Sequence, residues 1–553
     1  MGNNSGRKNN FVMQAGILAS AGIISRIIGL LYRSPLTEVI GELGLGYYQA
    51  AYGFYTIVLL ISSYSIPSAI SKVIAQKLAL REYRNAHRIF LCSMAYVLVV
   101  GGIASLFLFF GAGIFVEEAA IPVLRTFAPT IFVYGILGVL RGYFQAHKSM
   151  AQTSVSQILE QISNAVVSIG AAYLLINSFM GGMEMPADTA GQVKRATYGA
   201  VGSAMGTGVG VLAALLFMAG IYGLNRRIIQ RRIRNDRHRH MDSYGEILRT
   251  ITAVVTPFIL STAVYNLSGT VNNAVYTKIL PSLKELDSVE LYSNWGIFSG
   301  QALTISNIPI AFASAMAAAM IPSVAQLMAS KDIGGARQKI GVAVKTTMLI
   351  SIPCAVGLLV LARPVTYLLF PRSEEVVSLA SRLLMTLSLS VVFYALSTLN
   401  SSILQGLGRV NIPIVNAFIA LVLQTAVALG LLFYTELDLY SMAVANTVYS
   451  GAMCILNQIS VRKAVGYRQE VLKTFVIPFA ASLFMGAFAW AVYEGLLMMT
   501  GSMRISVIPA ILAGACVYFA MLIILRGVTE KELRGFPKGH LLVRAAKKCR
   551  LMR

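Results

Sequence analysis

The sequence predicts an all-α polytopic membrane protein of about fourteen transmembrane helices, and three observations predict it. Of the 553 residues, 56% are hydrophobic and only 12% charged, whereas a soluble chain carries about 25% charged residues. Apolar runs of about 20 residues recur from end to end, each long enough to cross a ~30 Å hydrocarbon core. The basic residues then alternate with those runs: with both termini on one side, 34 of the 46 Lys and Arg fall in the loops of that side. That asymmetry is the positive-inside rule and places both termini in the cytoplasm. The short-period alternation of a β-barrel is absent.

In chain order the expected spans are 11–32, 46–71, 89–112, 121–141, 153–178, 196–222, 250–280, 292–328, 341–362, 377–405, 412–435, 442–461, 475–499 and 505–526. The first is a retained helix rather than a cleaved signal, because no small-residue cleavage site follows it. Seven spans contain the eight prolines Pro67, Pro129, Pro257, Pro309, Pro322, Pro353, Pro478 and Pro509. In a membrane helix proline marks bends that neighbouring helices must re-satisfy. Between the sixth and seventh spans lies "NRRIIQRRIRNDRHRHMDSYGEILRTI", residues 225–251, in which isoleucines punctuate arginines as on a helix at the membrane interface.

That insertion suggests two halves, and a weak repeat supports them. "IPSAIS" (66–71) resembles "IPSVAQ" (321–326), each before a basic loop, and "AHRI" (86–89) resembles "ARQKI" (336–340). "YFQAHKSMAQTSVSQ" (143–157) parallels "ILQGLGRVNIPIVNA" (403–417). Three matches in one order at nearly one offset indicate a duplicated six-helix unit. An even helix count makes the repeat parallel. The expected organisation is an N-lobe at 1–222, a basic cytoplasmic linker at 223–249, a C-lobe at 250–461, two further helices within 462–526 and a basic tail at 527–553.

The chemistry is that of a carrier rather than an enzyme. No phosphate-binding loop, zinc-protease or hydrolase motif occurs, and the five histidines lie in loops or the tail. The five cysteines stand singly, so neither a disulfide framework nor a metal site is expected. The net charge of +23 is distributed as topology, not as a nucleic-acid face; no cofactor and no nucleic acid are expected, and the basic loops are expected to meet anionic lipids. What remains is charge inside spans. Arg26 lies deep in the first span and, with Arg33 two turns on, presents a basic face. A guanidinium at the bilayer centre costs roughly 2.5–3.5 kcal/mol and usually looks into a cavity. Arg33 and Lys72, near span ends, either join that face or snorkel. Glu160 is the counter-ion of Arg26, a site for a coupling cation, or a structural pair. Gln301, in a span with Asn307 and two prolines, is a further polar candidate. A cavity with unpaired cations suits a phosphate-bearing cargo.

"SAGIISRIIGLLYRSPLTEVIGELGLGYYQAAYGFY" followed by "SIPSAISKVIAQKLA" resembles the N-terminus of the MOP-superfamily lipid-linked saccharide flippases, in the branch of stage V sporulation protein B and the Gram-positive MurJ-type lipid II flippases. The resemblance covers essentially the whole chain. It implies two six-helix lobes around a central cavity, alternating access, a bacterial plasma-membrane location, and translocation of undecaprenyl-pyrophosphate-linked peptidoglycan precursor to the outer leaflet. Membrane potential, Na+ or H+ are the candidate sources of drive, between which the sequence does not choose, and cell-wall synthesis enzymes are candidate partners. Ser25 and Arg26 match the Ser-Arg of the family's first helix, and Arg33 follows one residue later than in the pattern. The arginine pair of the family's second helix has no counterpart in "YGFYTIVLLISSYSIP", and its helix 8 arginine is replaced by the neighbourhood of Gln301 and Thr304. Two other readings stay open: a MATE-type multidrug or cation antiporter, which would use carboxylates such as Glu160, and a membrane scaffold for cell-wall or spore-cortex synthesis.

Overall fold

The computed structural model describes residues 21–22, 24–64, 66–147, 149–184, 186–236, 241–284, 287–528, 530 and 544. The first half of the first expected span and nearly all of the basic tail at 527–553 lie outside them. Every regular element among the described residues is helical. The chain forms two compact units, 1–296 and 297–553.

In the first unit, a helical stretch at 24–31 leads into α1 (Arg33–Leu59), followed by α2 (Ile66–Ala79), α3 (Tyr83–Phe110), α4 (Ile121–Ala146), α5 (Met150–Met180), α6 (Thr189–Arg234), α7 (Tyr244–Ala274) and α8 (Ser288–Trp295). The second holds α9 (Leu303–Ala329), α10 (Ile333–Val360), α11 (Ala362–Leu369), α12 (Glu374–Gly406), α13 (Asn411–Tyr434), α14 (Leu439–Val465), α15 (Ile477–Thr500) and α16 (Met503–Ile524). Ten helices among the described residues are long and apolar enough to cross a bilayer, a number compatible with the fourteen expected.

The helices are inside-out relative to those of a soluble protein. The buried face of α5 carries Thr153, Ser154, Ser156, Asn164 and Ser168, while Val155, Ile162, Val166 and Leu174 are exposed. In α13 the exposed residues are Val415, Phe418, Ile419, Val422 and Leu423. Water would penalise both arrangements; hydrocarbon favours them, since lipid tails solvate the apolar face and interhelical contacts satisfy the polar one.

Proline explains most of the irregularity. Widened π-helical turns occur at Leu60–Tyr64, Val275–Ile279 and Leu472–Val476. Each contains the residue four before a proline: Ser63 before Pro67, Thr277 before Pro281, Thr474 before Pro478. A proline ring displaces that carbonyl and removes its donor, and one extra residue in the turn absorbs the insult. The fourth, Gly296–Ala302, has no such proline and holds Gln301.

The repeat recurs element by element. α3 and α10 are each 28 residues and start exactly 250 positions apart, and short helices follow at Ala112–Phe115 and at α11 with the same spacing. Arg81 and Lys331 both adopt positive φ (62° and 58°) in the turns before them. In the first unit Gly142 lets α4 cross α2 at Pro67; in the second Gly406 lets α12 cross α9 at Ile321. The last pair, α15 and α16, packs beside α10, with Tyr518 donating to the Leu349 carbonyl at 2.8 Å.

Two expectations about boundaries change. The gap expected at 33–45 is helical, broken only at Gly41 (φ 73°, ψ 175°). The arginine-rich segment is no separate interfacial helix: α6 runs through it without a break to Arg234, 46 residues in all. At 1.5 Å per residue that is roughly 70 Å, far more than a bilayer needs. The first compact unit extends to Gly296: α7 packs on α1, α2 and α3, and α8 packs on α1.

Candidate functional site

The most developed polar constellation in the first unit starts from glycine. Gly202, Gly206 and Gly210 recur every fourth residue on α6, so they share one face. A Cβ there would meet the α5 backbone: 2.4 Å from Ala172, 2.4 Å from the Ser168 nitrogen, and 2.6 Å from the Glu160 carbonyl oxygen. The two helices therefore touch backbone to backbone, the close approach that small residues permit in membranes. This contact holds the polar face of α5 in place.

Along that face two groups of contacts form. Arg141, at the end of α4, donates through Nη2 to Glu160 Oε2 at 2.8 Å and through Nε to Ser156 Oγ at 2.9 Å. One turn further, Asn164 Nδ2 donates to the Tyr32 hydroxyl at 3.4 Å, and Asn164 Oδ1 accepts from Ser168 Oγ at 2.9 Å. Thr207 joins Asn164 to the Tyr48 hydroxyl through contacts of 3.5 Å each. Tyr48 stacks on Tyr52 at 5.7 Å, and Phe127 stands against Tyr48, Tyr52 and Tyr55 at 5.4, 5.7 and 4.8 Å. Aromatic faces with a few fixed amides and hydroxyls at their edge are the composition of small-molecule sites.

The residues singled out from sequence are placed as follows. Arg26 is exposed between exposed Ile24 and Ile27, with no hydrogen bond or ion pair among the described residues. Arg33 is half-buried at the start of α1, within electrostatic reach of Tyr48. Ser25 keeps a buried hydroxyl without a partner. Lys72 is exposed on α2. Gln301, in the second unit, is fully buried with neither amide atom satisfied among the described residues; such a group costs about 1–3 kcal/mol. In this structure Glu160 is ion-paired with Arg141, and no ion pair links it to Arg26 among the described residues. Arg141 escaped the sequence reading, which ended the fourth span there and assigned it to a loop. The signal was the aromatic pair Tyr143–Phe144 beyond it: apolar residues after a charge mean that the helix, and its burial, continue.

Inside-out helices, a duplicated unit and a polar track between touching helices define a polytopic membrane protein of the transporter type. Solved structures with this fold include "Lipid II flippase MurJ, inward closed conformation" (TM-score 0.65, 15% identity, 92% of this chain and 98% of that one). A MATE-family multidrug resistance transporter of the MOP superfamily in its inward-facing conformation is similar too (TM-score 0.62, 16% identity, 82% of this chain and 98% of that one). The chain belongs to the MurJ lipid II flippase family, whose model matches residues 83–511. Among curated relatives it is 24% identical to the lipid II flippase MurJ of Bacillus subtilis over 94% of this chain and 97% of that protein. It is 23% identical to stage V sporulation protein B of the same organism, over 97% of this chain and all of that protein.

Proposed function

We propose that this protein moves a polyprenyl-pyrophosphate-linked saccharide of the lipid II class from the inner to the outer leaflet of the bacterial plasma membrane by alternating access. The observation that carries the reading is membership of the MurJ family across residues 83–511. Arg26 supports it: an exposed guanidinium with no acid beside it among the described residues, in an apolar stretch of sequence, is chemistry for pyrophosphate oxygens taken two at a time. Arg33, Ser25, Lys72 and Gln301 are the further contacts proposed for the cargo. In proteoliposomes at matched protein levels, Arg26→Ala is expected to lower precursor flipping at least about tenfold while leaving folded protein. Arg26→Lys should recover little, because an ammonium lacks the planar fork. Wild-type flipping in Arg26→Ala would remove Arg26 from the site.

Drive from membrane potential, Na+ or H+ is part of the proposal; one charge moved through 100 mV is worth about 2.3 kcal/mol. A coupling cation would act at Glu160 by competing with Arg141. The antiporter alternative needs a carboxylate free for a cationic drug, and the ion pair of Glu160 with Arg141 speaks against it. Anionic lipids at the basic loops and cell-wall synthesis enzymes are the proposed partners.

The proposed orientation has both termini in the cytoplasm. Cysteine at Ser288, exposed at the start of α8, should be labelled by an impermeant reagent in intact cells. Cysteine at Met241, exposed beside the basic segment, should react only after permeabilisation. The reverse pattern would invert the topology.

A further inference from the structure

A cavity of about 240 Å³ opens in the first unit under the arginine-rich end of α6. On one side stand Asn225, Ile228 and Arg232 of that helix; on the other, His87, His147 and Gln152. No carboxylate lines it among the described residues. Arg232 has no ion pair or hydrogen bond among them, and lies within electrostatic reach of Tyr143 and His147 instead of an acid. His147 is anchored by its Nδ1 to the Tyr143 carbonyl at 2.9 Å. Burial pushes that imidazole below its ordinary range, partly offset by the Tyr143 carbonyl, with Arg232 a smaller push in the same direction as burial; Arg232 is the permanently charged side chain among the described residues of the lining. His87 Nδ1 is buried with no partner. The Ser149 hydroxyl engages Gln152 Oε1, which leaves the amide hydrogens of Gln152 as donors.

The walls are as informative as the charge. Ile228 faces the cavity yet is 54% exposed, and Leu224, one turn before it on α6, is 81% exposed. An uncompensated guanidinium lining a concavity, with the His87 imidazole and the Gln152 amide as donors beside it and Ile228 on its wall, recognises an anion attached to something apolar. We infer that this cavity is a phosphate-binding site, taking the phosphodiester of an anionic phospholipid headgroup or a soluble phosphate. It differs from diffuse attraction between basic loops and lipid, because one arginine of the run, Arg232, lines the cavity and its neighbour Arg231 does not. It is also independent of what cargo the protein carries.

The test uses purified full-length protein in detergent, titrated with short-chain phosphatidylglycerol, short-chain diacylglycerol or inorganic phosphate, with retention read by native mass spectrometry. Phosphatidylglycerol should be retained, and the diacylglycerol, which lacks phosphate, should not. Arg232→Ala should weaken retention about tenfold, the effect of losing one charge-assisted contact, while Arg231→Ala stays within about twofold. Arg232 is exposed and unpaired, so an unchanged thermal midpoint is expected in both variants. Displacement of the lipid by millimolar inorganic phosphate identifies a soluble phosphate as the ligand; resistance to it identifies the headgroup. Equal losses in the two variants, no loss in Arg232→Ala, or equal retention of diacylglycerol would each overturn the inference.

Discussion

Arg141→Ala is expected to leave little folded protein in the membrane. The arginine is 5% exposed and the Glu160 side chain 16%, so truncation strands a carboxylate in the interior without its cation and leaves Ser156 without its donor. Breaking a buried ion pair from one side costs about 3–5 kcal/mol, against a total stability of about 5–15 kcal/mol for a typical fold. Arg141→Lys should be intermediate, since a point charge keeps the attraction but not both the Glu160 and Ser156 contacts. The double variant Arg141→Met, Glu160→Gln should regain most of the loss, because removing both charges also removes their desolvation cost. Thermal midpoints in detergent, followed by size-exclusion fluorescence, read all four proteins. Wild-type stability in Arg141→Ala would show that the pair holds nothing together. A double variant that is stable but inactive in flipping would show that Glu160 serves ion coupling as well as structure.

Gly46→Leu should be worse still, preventing assembly of the first unit. α1 crosses α8 and the turn after it where two glycines meet: a Cβ on Gly46 would lie 1.8 Å from the Tyr292 carbonyl oxygen, and one on Gly296 would lie 2.3 Å from the Glu42 carbonyl oxygen. The obstacles are backbone atoms, which cannot rotate away as a side chain can. Even Gly46→Ala requires the helices to separate, and overpacking of this kind costs about 1–3 kcal/mol or more. Gly170→Ala is the control, because nothing lies within 4 Å of the added methyl, and a mid-helix glycine replaced by alanine gains about 0.5–1 kcal/mol. Membrane-inserted yield and thermal midpoint measure both. A Gly46→Leu protein as abundant and stable as Gly170→Ala would mean the crossing is not as close as the structure has it.

Much of the fold was legible because the bilayer writes itself into sequence. Hydrocarbon imposes a length on every span and excludes charge from its lipid face, so α12, α13 and α14 were found within about four residues of their ends. The repeat was legible at Gln145 and Gln405, each the second-last residue of its helix. Helix ends that lie beyond the bilayer were not: α6 continues into its arginines because no lipid boundary stops a helix there and its Arg, Leu and Gln residues favour one.

By itself, then, the sequence determined the class of protein, the order of the long apolar helices that the structure describes, and the cations that needed explaining. It could not say which charges find partners. Arg141 and Glu160 are 19 residues apart on different helices, and nothing local distinguishes that arginine from one in a loop. Nor could it show that Gly46 meets Gly296, or that Arg232 lacks an acid among the described residues while the Asp236 carboxylate accepts from the Arg84 backbone N–H. Those facts belong to the tertiary structure. Hydropathy is a property of one segment against its solvent, whereas an ion pair, a backbone crossing and a cavity are properties of two or more segments against each other.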